Sequence, residues 1–137
     1  MTTAVDSIVE ILAANSLGTA GTNLFANYTP PSPDELIGVF TSPVDVEPEM
    51  TFGAGLSAIE NSRVQIFCRG NQDDFDTPKA NAIAARALLG VIANQTFYTV
   101  HFLRIQPLGD IAPLPTGPDV DLRPVFIFNL AVAVIPS

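Results

Sequence analysis

The chain is short of most of the residues that chemistry at a protein surface depends on. Of its 137 residues one is cysteine, Cys68, one is histidine, His101, and none is tryptophan. A single cysteine excludes an intrachain disulfide and a thiolate metal cluster. Cations are equally scarce: Arg63, Arg69, Lys79, Arg86, Arg104 and Arg123 are the full set, spread over more than sixty positions against 14 Asp and Glu, for a formal charge of −8. Sequence-independent nucleic-acid binding needs clustered cations that displace counterions from phosphates, so this chain is expected to repel DNA rather than hold it. The longest apolar run, Val125 to Ile135, is interrupted by Asn129 and is too short to span a bilayer, so no membrane contact is expected. The opening residues show no basic stretch followed by an apolar one, so a signal peptide is not expected and the compartment reads as cytosol-like.

Charge of either sign is low, 15% of residues against roughly 25% in an average soluble domain. Hydrophobic residues make up 47%, with nine Phe, and the mean hydropathy is +0.34. The length suits one domain, 1–137, with material for a real core. So few charges on so small a body predict apolar surface left over after folding, which subunit contacts would cover.

Along the chain, Val5, Ile8, Val9 and Leu12 recur at helical spacing, with Asp6 in the first turn, and predict a helix over 5–14. Strand-like runs at 22–29 and 36–41 flank Pro30, Pro31 and Pro33. A long Pro- and Gly-containing loop is expected over 43–61, acidic at Asp45, Glu47 and Glu49 but carrying Met50, Phe52, Leu56 and Ile59. Residues 63–69 alternate, Val64, Ile66 and Cys68 on one side and Arg63, Gln65, Phe67 and Arg69 on the other, as in a half-buried strand. Thr77 is placed to cap an alanine-rich helix with Pro78 at its first position, running to Val91. A strand is expected at 97–106 and a proline-rich loop at 107–121. The last strand, 124–135, reads as buried on both sides, large at even positions and smaller at odd ones, and so central in its sheet. The result is an α+β fold, one largely antiparallel twisted sheet with two helices packed on it.

Candidate chemistry reads as structure at each point. His101 lies in a predicted strand with no nucleophile motif near it. Asp73, Asp74 and Asp76 lack the spacing and central glycine of a calcium loop, and read as helix-start residues on a solvated loop or as part of an acidic lumen. Asp119 and Asp121 lack any sign of the pocket that would separate their pKa values. Neither Gly53-Ala54-Gly55 nor Gly18-Thr19-Ala20-Gly21 completes a nucleotide-binding motif. No enzyme signature is present, and no cofactor or metal is expected.

Several segments nonetheless form a familiar order. Leu24-Phe25, then Pro30-Pro31-Ser32-Pro33 and the strand Leu36 to Phe40, resemble the start of the tailed-phage minor capsid and tail-completion (tail terminator) family. The strand Val64 to Gly70, a loop and the alanine-rich helix from Pro78 are similar to that family's central block. Pro107-Leu108-Gly109-Asp110 and Arg123 to Leu130 are similar to its closing loop and strand, so the resemblance extends from about Leu17 to Val134. It implies a non-catalytic virion protein of a siphophage-like neck, assembled in the bacterial host cytoplasm. The implied assembly is a ring-forming subunit, six to a ring, that caps the tail tube and meets the head-completion (stopper) protein while DNA passes through unbound. The acidic Asp45 to Glu49 and the proline-rich Ala112 to Pro118 depart from the family pattern, and there partner specificity is expected to differ.

Apolar residues isolated in the two long loops, Met50, Phe52, Leu56, Ile111 and Leu114, are the expected contacts with neighbouring subunits or partners. Two other readings stay open: a head-completion stopper or other neck protein, and a small-ligand binding domain using the smaller-residue face of the sheet.

Overall fold

The computed structural model describes residues 4–41, 60–97, 100–113 and 123–135. They form helix α1 (Ala4–Ala14), strands β1 (Leu24–Ala26), β2 (Leu36–Thr41) and β3 (Glu60–Arg69), helix α2 (Asp76–Leu89), and strands β4 (Ala93–Phe97), β5 (Val100–Pro113) and β6 (Val125–Ile135). The six strands make one sheet in the order β1-β2-β3-β6-β5-β4. Only β1 and β2 run parallel; every other neighbouring pair is antiparallel. The α+β class, the dominant antiparallel pairing and the two packed helices agree with the sequence. Among the described residues no helix is long and apolar enough to cross a membrane.

The core follows from alternation. Registers Ile37↔Cys68, Val39↔Ile66, Val64↔Leu130, Ile66↔Phe128 and Ile105↔Val132 carry one apolar row across four strands. That row is fully buried under Val5, Ile8 and Leu12 of α1 and Ala82, Ala85 and Leu89 of α2. Burial of one face of each strand is what fixes this register, since a one-residue slip would turn the row to the other face. Two inward alanines on α2 leave room for the backbone to approach the sheet.

Helix α1 is buried round roughly half its circumference (Val5, Ser7, Ile8, Val9, Ile11 and Leu12), far beyond the apolar stripe of an ordinary surface helix. The reason is its position. It packs on β1 and β2 at one edge of the sheet, and its Ser7 hydroxyl donates to the Phe97 carbonyl of β4 at the opposite edge, at 3.4 Å. A helix can touch both edges only if the sheet curls around it.

Cys68 sits in this core, 0% exposed, and burial pushes its thiol up to about 12. The thiol is therefore neutral at any ordinary pH, and thiol reagents should label the folded chain only at the rate at which it opens, while urea-unfolded chain labels at once. Prompt labelling of the folded protein would contradict the burial. Because the folded pKa lies above the unfolded one, the protonated thiol favours folding below pH ~9, and that contribution is lost as the pH rises from there toward 12.

Four boundaries differ from expectation. The first strand shrinks to three residues, since Asn27 takes a left-handed φ of 58° and closes the run. The cap of α2 is not Thr77: the helix starts at Asp76, and the Asp74 carboxylate accepts the Thr77 N–H at 3.2 Å. Residues 93–97 pair as an edge strand although four of the five side chains are exposed, so no hydrophobic pattern marks them. Finally, 107–113 is not loop but the far half of β5, paired to β6 through Pro107↔Leu130 and Pro113↔Phe126 across a register shift between Leu108 and Ala112. Proline is admissible there because β4 pairs β5 no further than Arg104, so the outer side needs no ladder donor.

Candidate assembly interface

Among the described residues both helices cover the same side of the sheet, and the other side is open. Its composition can be read from the register. At one end lie aromatic and aliphatic groups: Phe40 and Phe67 in an edge-to-face pair with ring centroids 6.0 Å apart, Ile127 opposite Phe67, and Phe25 edge-on to Tyr28 at 6.1 Å. Gly38 makes this packing possible, since a Cβ there would lie 2.8 Å from both the Phe40 ring and the Thr29 methyl. All these side chains are half-buried except Tyr28, which is 58% exposed. Burial on both sides was expected for the last strand, and the odd side meets it only in part: Val125 and Ala133 are buried, Ile127, Ala131 and Ile135 half-covered, and Asn129 exposed.

Toward the other end the open face turns polar and cationic. Arg63 lies opposite Ala131, and Arg104 opposite Ala133, so two exposed guanidiniums flank the small side chains of the central strand. Beside them His101 has both ring nitrogens engaged, Nδ1 with the Thr96 hydroxyl at 2.8 Å and Nε2 with the Asn94 amide oxygen at 3.3 Å. It is a cross-strand sheet residue with its partners met.

The helix side presents a second unusual surface. Phe75, Ile83 and Val91, at 52%, 52% and 77% exposure, are three of the four large hydrophobic residues exposed among those described. Between them Ala80, Ala84 and Ala87 also face solvent, beside exposed Lys79, so the outer side of α2 is a largely apolar ridge about 20 Å long. Alanines thus line both sides of this helix.

At the head of the ridge stand the three acidic residues singled out from the sequence. Asp73 and Asp76 are exposed, Asp73 with a left-handed φ of 61°. The Asp74 carboxyl is held below its ordinary value because the Thr77 side chain and backbone N–H, and the Asp76 backbone, all donate to it. Asp74→Ala should lower the thermal midpoint by removing this cap, and Asp74→Asn should lower it less. The cap's contribution is present above the unfolded carboxylate pKa and disappears as pH falls through the depressed folded value, so the difference between wild type and variant should vanish in strong acid. A difference that persists there would point to packing instead. Among the described residues no three His, Cys, Asp or Glu converge on a common point.

Of the expected contact residues, Ile111 lies in the far half of β5, half-buried against the core. Met50, Phe52, Leu56 and Leu114 lie outside the described residues.

One arrangement had no signal in the sequence. Arg69 ends β3 and Arg123 precedes β6; both are at most 6% exposed. Arg69 donates to the carbonyls of Asp34 (2.9 Å), Pro30 and Pro33 (2.8 Å each), while Arg123 donates to the Pro31 carbonyl and pairs with the Asp34 carboxylate at 3.0 Å. These two guanidiniums hold the connection between β1 and β2, which includes a cis peptide before Pro33. Parallel neighbours usually need a dozen residues or more to cross over, and this one has nine (27–35) with three prolines and no ladder of its own. Arginine supplies the donors that the prolines cannot.

No protein-family model matches the chain, and no curated protein matches it in sequence. Its fold does match a solved structure: a chain of the virion of a native gene transfer agent particle, with a TM-score of 0.67 at 17% identity, over 93% of this chain and 91% of that one. At that identity the likeness is one of fold, and it covers nearly the whole of both chains.

Proposed function

We propose that this chain is a structural subunit of a phage-like virion, and within the virion the tail terminator: a ring that caps the tail tube and joins it to the head-completion proteins. The observation that carries the reading is the near end-to-end fold match to a virion chain of a gene transfer agent particle. The sequence resemblance to the tail-completion family, made on motif order alone, points the same way. Further support comes from surface chemistry. A domain with 15% charged residues, a sheet face without helices that is apolar at one end, and a largely apolar helix ridge has two surfaces for neighbours. A net charge of −8 suits a subunit beside a DNA path, since it keeps passing phosphate from adhering.

The test is genetic and visual. Particles made without this chain should carry overlong tails in electron micrographs. Normal tails beside heads that leak DNA would assign it to the stopper position instead, and particles with unchanged morphology and infectivity would end the virion reading. Native mass spectrometry of the purified chain should show a closed hexamer.

A further inference from the structure

We propose that the ring contact is head-to-tail, the α2 ridge of one copy seating on the open sheet face of a second copy. This rests on the ring-forming reading above and names the two surfaces that reading leaves unspecified.

The argument starts from what is exposed and where. The apolar ridge on α2 and the open sheet face lie on opposite sides of one domain. Different patches on opposite sides make a heterologous contact, which repeats from copy to copy and closes into a ring when the rotation allows. A second copy is the occupant because the two surfaces complement each other in charge. The head of the ridge carries exposed Asp73 and Asp76, with one cation, Lys79, a turn further along; the open face carries exposed Arg63 and Arg104. Among the described residues of one copy none of these four has a salt bridge.

Spacing agrees with charge. Ile83 follows Asp76 by seven helical residues, roughly 10 Å along the axis. On the sheet, the apolar end at Phe67 and Ile127 lies four strand residues from the Arg63 and Ala131 level, roughly 13 Å away. A helix laid along β3 and β6 with its acidic head over the arginines therefore brings Ile83 over Asn129 and toward Ile127. The small side chains at Ala80 and Ala84 on the ridge, and at half-covered Ala131 beneath it, permit close approach. This placement assigns Asp73 and Asp76 to the contact between copies rather than to a lumen.

The test uses the full chain carrying Ile83→Cys and Asn129→Cys, both exposed positions, with buried Cys68 silent. Treated with a short bismaleimide, free chain or purified particles should yield a ladder of covalent oligomers. Each single variant alone should stay at background, and a mixture of the two singles should stop at the dimer. In parallel, Arg63→Glu with Arg104→Glu should weaken self-association roughly tenfold or more, and adding Asp76→Arg should recover about threefold or more. Thermal unfolding checks that these surface variants still fold. Rings that persist without any ladder would overturn this contact and leave the ring reading standing. Wild-type chain that neither self-associates nor occurs in particles would overturn both.

Discussion

Truncating Phe128 to alanine should cost about 3–5 kcal/mol of unfolding free energy, the range for emptying a buried aromatic site. Phe128 is 1% exposed on β6, the strand flanked by β3 and β5, and faces the helices in register with Ile66. The neighbouring β3 cannot move in to fill the space, because it is held by ladders on both sides. Set against a typical total of about 5–15 kcal/mol, this single change threatens the folded state itself. Phe40→Ala is the control. Phe40 is half-buried on the open face, and its loss should cost the isolated domain much less. Urea titrations at one fixed protein concentration will compare the two, since association adds its own stabilisation. Equal losses would mean that the core is not one-sided as described.

Arg69→Ala should be the next most damaging change, at about 2–4 kcal/mol, through a different mechanism. It removes the donor to three carbonyls and leaves them to find water or go unpaired. Solvent can reach the exposed Pro31–Pro33 stretch, which holds the cost below that of a fully enclosed network. Arg69→Lys should recover less than half, because an ammonium on a flexible stem cannot reproduce the planar fork that reaches Pro30, Pro33 and Asp34 together. Arg123→Ala should also destabilise, by removing the donor to the Pro31 carbonyl and the ion pair with the half-exposed Asp34 side chain. Urea midpoints measured on the three variants check these losses. A neutral Arg69→Ala would show that the β1–β2 connection stands without its clamp.

Periodicity made the helices and central strands legible. Val64, Ile66 and Cys68 alternate, and Val5, Ile8 and Leu12 recur at helical spacing, because each lies on an element with one wholly buried side. Where burial is absent the signal is absent too, as in β4, whose Ala93 to Thr96 side chains all face solvent. The far half of β5 was obscured for another reason. Pro107, Gly109 and Pro113 are turn residues by local preference, but a strand edge that needs no donors tolerates them, and which edge is free is a property of the whole sheet. The arginine clamp is still less readable. Arg69 and Arg123 stand 54 positions apart in the chain, and nothing local to either names the carbonyls it will meet. The assembly surfaces were half-legible: low charge indicated that some would exist, while the apolar outer face of α2 emerges only once Ala82 and Ala85 are seen to take the inner one.

The contact between Ser7 and Phe97 has a consequence for how the protein is made. Their separation is 90 positions. A ribosome adding roughly 5–20 residues per second delivers the second partner several seconds after the first. Over that interval the opening helix, apolar on half its surface, has emerged into the cell with only part of its seat built. Nascent chains should therefore engage hydrophobic-binding chaperones early, and a polypeptide halted before residue 97 should stay protease-sensitive at its very start.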